Sequence, residues 1–417
     1  MNSLKWSKAS LGSLCSPRKE LVNPSDGEAL PYVGLEHLDP GRNQIKRWGS
    51  IEEVRSTKSR FHKNDVLYGK LRPYLDKAAL AEWIGVCSTD ILVLTPNEEL
   101  ADPVFLSFLL HTHDFINHAV STTEGVNHPR TSWTSIAKFL NPTPPLPEQR
   151  VIAAVLAKVQ AGIETQRRIV ATLKELKAAT MAKLFREGTR AANRDTASRY
   201  GEFPANWEQL TLDRCAFVQT GIAKGRRLNG SDVVEKPYLR VANVQDGYLD
   251  LNEIKTIQLR ESEVERFSLR YGDVLLTEGG DFDKLGRGFI WRDQVKNCVH
   301  QNHIFAVRTD SSRLLSEFFT YLIQSPYGKA YFLSVAHKTT NLACINTTKL
   351  RSFPVIVPPI DEQHEIAEVL GLIDKKIEIQ NQVLSGTQTL FTAMLHLLMT
   401  GEIRVTPQMI EEARHVS

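Results

Sequence analysis

Apolar residues recur by threes and fours over two long stretches of the chain, Ile152, Leu156, Val159, Ile163 and Val170, and again Ile366, Leu370, Ile373, Ile377 and Leu384. Such spacing predicts helices that bury one narrow seam, the pattern of helices packed lengthwise on one another. Each stretch has the same kind of lead-in, Pro144-Pro145-Leu146-Pro147-Glu148-Gln149 and Pro358-Pro359-Ile360-Asp361-Glu362-Gln363. Prolines fix an extended approach, Pro147 suits a first helical turn, and Glu148 and Glu362 place negative charge near a helix N-terminus. Aligning the two glutamates, a shift of 214, also brings Val155 onto Val369, Gln166 onto Gln380, Leu176 onto Leu390 and Leu184 onto Leu398. A helix from Pro147 to about Glu187 would be a rod of roughly 60 Å.

The match extends beyond the helices. Trp6 aligns with Trp207, Tyr32 with Tyr238, Asn64-Asp65-Val66-Leu67-Tyr68 with Gly272-Asp273-Val274-Leu275-Leu276, and Asp90-Ile91-Leu92-Val93 with His303-Ile304-Phe305-Ala306. The offset drifts from 201 to 214, which places insertions between fixed points. The chain therefore reads as two copies of a unit of about 200 residues, each a globular α+β domain followed by a long helix. Short β-branched and aromatic runs predict strands at Asp65 to Leu71, Asp90 to Thr95, Tyr238 to Val244, Phe289 to Trp291, His303 to Arg308 and Phe353 to Val357. Asp102-Pro103 starts a predicted helix reaching about Ala119, and Leu314 to Gln324 is its counterpart, stopped before Pro326. Gly188 to Gly201 reads as a connector, and the residues after Val405 as a fraying end.

A length of 417 residues with 24% charged and 42% hydrophobic residues is ordinary globular composition. The start of the chain lacks the apolar core of a signal peptide and no run approaches a membrane span, so a cytoplasmic protein with no membrane partner is expected. Five widely spaced cysteines without a Cys-x-x-Cys signal buried free thiols. The net charge of +3 is small, but its distribution is uneven. Ten Lys or Arg fall between Arg42 and Lys77 against four acids. Among them Arg42, Lys46, Lys70, Arg72 and Lys77 form one candidate phosphate-binding cluster; Lys224, Arg226, Arg227, Lys284 and Arg287 form a second in the other copy.

Catalytic patterns are wanting. There is no P-loop, Gly286-Arg287-Gly288 follows no strand that would open a dinucleotide site, and the Pro-Pro pairs lack the amide and ring of an adenine methylase motif. Asp246 with Glu253-x-Lys255 only imitates a nuclease carboxylate set. His111, His113 and His118 fall in a predicted amphipathic helix without a carboxylate or Cys at ligand spacing, so surface or interface histidines are expected and no metal site.

The two proline lead-ins with their helices resemble the start of the conserved helical regions in specificity (S) subunits of type I restriction-modification systems. The ending Leu397-Leu398-Met399-Thr400-Gly401-Glu402-Ile403-Arg404-Val405 and the segments Asn64 to Tyr74 and Gly272 to Thr277 are similar to others of that family. Departures are Asp361 and Asn64. The resemblance implies two target-recognition domains, 1–146 and 189–359, separated by two long antiparallel coiled-coil-like helices, a central region at 147–188 and a C-terminal region with its tail at 360–417. It implies a non-catalytic reader of a bipartite site in double-stranded DNA, with no cofactor of its own. It also implies two modification subunits that bind S-adenosylmethionine and two restriction subunits that use ATP and Mg. A helical-rod adaptor that binds no nucleic acid would keep the paired seams without needing two basic clusters.

Overall fold

The computed structural model describes residues 6–26, 28–190, 195–226, 228–280, 285–338, 343–406, 408, 409 and 411. The chain divides into two compact units, Met1–Ile169 with Asn381–Ser417, and Val170–Gln380. Each unit holds one globular domain and part of both long helices, Leu146–Glu187 and Ile360–Thr400. The two helices start 214 positions apart, the shift at which their sequences align.

In the first unit an antiparallel sheet runs in the order Cys15–Pro17, Ile91–Pro96, Val66–Gly69, Ala78–Leu80. In the second the order is Ala216–Thr220, Ile304–Thr309, Val274–Thr277, Gly288–Ile290. The central strands, Val66–Gly69 and Val274–Thr277, are buried throughout and carry the apolar runs Val66-Leu67-Tyr68 and Val274-Leu275-Leu276 because both faces of the sheet are covered. Val66 and Tyr68 face the helices while Leu67 faces a second sheet; Val274 and Leu276 are likewise opposed to Leu275. That second sheet pairs Tyr32 with Val86 in parallel in one unit and Tyr238 with Val299 in the other. A turn follows each, closed by His37 Nδ1 accepting the Gly34 amide at 2.9 Å and by Asn243 Oδ1 accepting the Arg240 amide at 2.8 Å. The strand expected at Tyr238 to Val244 accordingly lies earlier, at Val233–Leu239, because Asn243 folds the following residues into a turn.

The helical reading needs similar correction at its breaks. Asp102 caps the first helix by accepting the Phe105 amide at 2.9 Å, as expected, but that helix ends at Leu109, and Thr112 caps a separate one at His113–Ser121. Pro326 starts a helix rather than only ending one: Ser316–Gln324 is followed by Pro326–Val335, with Ser325 as its cap and proline in the first turn. The connector holds a strand, Asp195–Ser198, paired with Gly201–Pro204. Four of the five cysteines are buried, and Cys344 is exposed.

The long helices meet the globular cores through the predicted seam. Ile152 and Leu156 pack with Phe105, Phe108, Leu395 and Leu398; Ile366 and Leu370 pack with Phe318, Phe319, Met181 and Phe185. Leu176 and its match Leu390 are half exposed, at 50% and 53%. Each lies six residues past the preceding seam position, about 120° from it around a helix, so neither can share the seam.

What fixes the helix ends is a set of hydrogen bonds repeated in both units. Gln149, buried, gives its amide to Leu100 O at 2.8 Å and Pro144 O at 2.9 Å, and accepts the Asp102 N–H at 2.9 Å. Gln363 does the same with Arg313 O, Pro358 O and the Leu315 N–H at 2.8, 2.9 and 2.8 Å. Trp6 Nε1 donates to Glu148 at 3.0 Å, and Trp207 Nε1 to Glu362 at 3.1 Å. The glutamates do more than face a helix dipole, since each is a buried acceptor that ties its helix to the chain beyond the other helix's end. Arg404 Nε and Nη2 donate to Glu148 at 2.6 and 2.7 Å, whereas the Thr189 N–H donates to Glu362 at 2.9 Å. The start of one helix thus lies by the end of the other in each unit, which makes the pair antiparallel. The turns concerned need glycine. Gly188 and Gly401 have φ of +70° and +76°, and a Cβ there would lie 2.5 Å from Glu362 Oε1 or 2.9 Å from the Trp6 ring.

Candidate nucleic-acid interface

The central strand of each sheet runs into a loop beside a hairpin-like turn. In the first unit Lys70 N–H donates to Asp90 O at 2.9 Å and Lys70 O accepts from Thr131 N–H at 3.0 Å. In the second Glu278 N–H donates to His303 O at 2.9 Å and Glu278 O accepts from Ile345 N–H at 2.8 Å. Lys70 and Glu278 are therefore equivalent places in one frame. The loop closes at Gly69 and Lys77 in the first unit, and at Thr277 and Arg287 in the second. Beside it lie the turn closed by Glu124 and Arg130, and the pair His337–Lys338 with Ala343–Cys344.

The side chains at these equivalent places differ. Arg130 donates from Nε and Nη2 to the two oxygens of Asp90 at 2.9 and 3.2 Å. Arg130, with Lys70 and His128 nearby, holds the Asp90 carboxyl below the usual carboxylate range. Lys70 has no ion pair among the described residues, and Arg72 is exposed with its side chain likewise unpaired. Arg72 and Asp76 both adopt left-handed backbone, with φ of 53° and 50°. The Arg72 N–H donates to Pro129 O at 2.7 Å, and Asp76 Oδ1 lies 2.6 Å from Nδ1 of buried His111. A strained, over-determined loop of this kind presents its side chains in one fixed arrangement. In the second unit the equivalent place carries Glu278 with His303 Nδ1 at 2.5 Å, a partnered acid where the first unit has a lysine without an ion pair among the described residues.

The other residues expected to touch DNA are placed variously. Arg42 pairs with Asp39 at 3.1 Å and with Glu164 at 3.3 Å, and Lys46 also pairs with Glu164. Burial opposes ionisation of Glu164, but Lys46, Arg42 and Arg167 together hold its carboxyl below the usual range. These two cations bind their domain to the first long helix. Lys77 Nζ donates to Leu35 O at 2.5 Å, and Arg287 Nη1 to Gln245 Oε1 at 2.7 Å. Lys224 is exposed and unpaired among the described residues, while Arg226 forks onto Glu263 at 2.9 and 3.0 Å. Arg227 and Lys284 lie outside the described residues. The structure thus leaves Lys70, Arg72 and Lys224 open and brings Lys70 and Arg72 together with Asp90, His128 and Arg130, which the charge count had passed over. Turn chemistry could have found the last two, because Gly125-Val126-Asn127-His128-Pro129 is a turn-forming stretch between helices. Val126 at its tip is 96% exposed.

His111 is buried, and His118 Nε2 lies 3.1 Å from Ser135 O. Among the described residues no group of three or more His, Cys, Asp or Glu is arranged to hold a metal ion, and no helix is long and apolar enough to cross a membrane.

The family model described as the type I restriction modification DNA specificity domain matches residues 5–175 and again residues 206–386. The chain belongs to this family. This specificity-family chain is 25% identical over 315 residues to the type I restriction enzyme StySPI specificity subunit of Salmonella potsdam, covering 73% of this chain and 66% of that one. It is 26% identical over 330 residues to the MjaVIII specificity subunit of Methanocaldococcus jannaschii, covering 77% and 75%. A chain from a structure of assembly and conformational transition of the type I R-M system has the same fold, with a TM-score of 0.57 at 19% identity over 96% of this chain and 99% of that one. Membership makes this a DNA-recognising specificity chain, not a catalytic one. The family model falls once on each copy of the repeat, with each proline lead-in and the first part of its helix inside the match.

Proposed function

We propose that the chain reads a two-part DNA site, one part with the recognition domain at 1–146 and the other with that at 189–359, and presents the site to partner subunits that do the chemistry. The partners are two modification subunits carrying S-adenosylmethionine and two restriction subunits using ATP and Mg, bound through the helical regions 147–188 and 360–417. The observation that carries this reading is one frame, kept down to single backbone hydrogen bonds, that bears Lys70 at the place where its copy bears Glu278. Two half-sites of different sequence require such divergence at the reading surface and constancy beneath it. Lys70, Arg72 and Lys224 contact phosphate directly in this account. Arg42 and Lys46 hold the domain to the first long helix, Lys77, Arg226 and Arg287, already engaged in the free chain, place the loops, and Arg227 and Lys284 are further candidates for phosphate contact.

The test is the salt dependence of DNA binding by the chain assembled with its modification partner. Replacing Lys70 and Arg72 together by Ala should weaken binding and lower the slope of log affinity against log salt by up to ~2. Unchanged slope and affinity would remove this loop from the footprint.

A further inference from the structure

The second unit has a cleft of about 550 Å³ that no part of this reading uses. It runs along the outer strand Ala216–Thr220 and is lined by Arg266, Arg270, Arg308 and Arg351, with Glu265 the one carboxylate. Phe217 lies opposite Arg308, at the Asp273 end of the sheet, whereas the loop that begins at Glu278 leaves from the other end. The cleft reaches Thr220, opposite Phe305, and so follows the outer strand rather than the loop that begins at Glu278.

Phe217 and Val218 aside, its side chains are donors with Glu265 the one exception. Arg308 is held from behind, its Nε and Nη2 donating to the two oxygens of buried Asp273 at 2.8 and 2.7 Å, so the guanidinium is fixed while Nη1 stays unused among the described residues. Gln219 adds an amide Nε2 that is buried and lacks an acceptor among the described residues. Arg270 and Arg351 are exposed and form no ion pair among those residues. The first unit neutralises the corresponding place: Arg18, which holds buried Asp65 at 2.7 Å, also pairs with Glu20 at 2.7 Å, and Glu20 meets His62 at 2.9 Å. Four guanidinium groups facing one carboxylate, with an orphaned amide donor among them, call for a compact anion with several acceptor oxygens. Planar forks match phosphate oxygens in pairs.

We propose that this cleft binds a phosphate group. The phosphate comes either from a DNA backbone flanking the half-site, which rests on the DNA-reading function above, or from a free phosphate compound. The experiment uses the full chain with its modification partner and the pair Arg270→Gln and Arg351→Gln, both exposed, leaving the Arg308–Asp273 support in place. If the source is DNA, the double variant lowers the salt slope of DNA binding by up to ~2. If the source is a free compound, calorimetry detects pyrophosphate binding to the native complex and none to the variant, with the DNA slope unchanged. The pair Arg270→Lys and Arg351→Lys, which keeps both charges, should retain most of whichever signal is seen. No change in slope and no pyrophosphate binding would overturn the proposal, as would a lysine pair as defective as the glutamine pair. A native complex that prefers no DNA sequence would instead overturn the DNA-reading function and leave the pyrophosphate arm standing.

Discussion

The two units agree where the helices are anchored and differ where the central strand leaves the sheet. Gln149 and Gln363 make the same three hydrogen bonds to equivalent backbone groups, and Trp6 and Trp207 bond equivalent glutamates. At the loop, an open Lys70 stands against a Glu278 closed onto His303. Buried polar networks tolerate no half-measures, because a lost partner strands a group away from water, so anchoring bonds are held constant while exposed loop positions vary freely. The constant residues carry the architecture, and the variable ones are those the proposed function needs to differ.

The largest expected effect tests the constant part. Gln149→Ala or Gln363→Ala strands three backbone groups, and each should destabilise its own unit by about 3–5 kcal/mol. Hydrogen exchange on the full chain should show lost amide protection in the altered unit; loss in only one of the two variants would mean that the anchors are not equivalent.

Next comes a place where buried positions differ. Val33 pairs with Cys87 in the first unit, and Leu239 with His300 at the same register in the second. Burial lowers the His300 imidazole to about 4 and raises the Cys87 thiol to about 12. A histidine whose folded value is depressed contributes stability that is full above its unfolded value of about 6.5 and is lost as pH falls towards the folded one. The second unit should therefore lose about 3 kcal/mol between pH 6.5 and 4 from this residue alone. The first unit has no such contribution from Cys87. His300→Cys should flatten that part of the second unit's pH profile, whatever its cost at neutral pH. An unaltered acid loss of protection in the variant would place the pH sensitivity elsewhere.

A smaller effect should follow Trp6→Phe or Trp207→Phe. Each removes one donor to a buried carboxylate, a change of about 1.5–3 kcal/mol, together with the packing of one ring of the indole. The first unit should lose less, because Arg404 still holds both oxygens of Glu148. Equal losses measured by hydrogen exchange would deny Arg404 that supporting role.

Much of this frame was legible in the sequence because it rests on local signals. Proline lead-ins, a three-four apolar period and paired anchor residues place both long helices and the repeat. What was not legible depends on distant partners. Arg42 and Lys46 look like part of a basic patch until Glu164, more than a hundred residues on, is folded against them. Glu148 reads as a charge at a helix N-terminus, and only the folded chain supplies Trp6 and Arg404. Asp90, His128 and Arg130 come from a strand end and a turn 40 residues apart, so no local count of charge gathers them. The break at Thr112 and the restart at Pro326 were missed because a cap or a first-turn proline interrupts an apolar period without ending it.

Two equivalent frames that carry independent reading surfaces should be exchangeable one at a time. The most direct test replaces residues from about Tyr200 to Phe353 with the matching segment of another specificity chain, assembles the product with its modification partner, and maps methylation across a host genome. One half of the methylated site should change to that of the donor, with the other half retained. A site altered in both halves, in an enzyme that remains active, would contradict independent reading by the two copies.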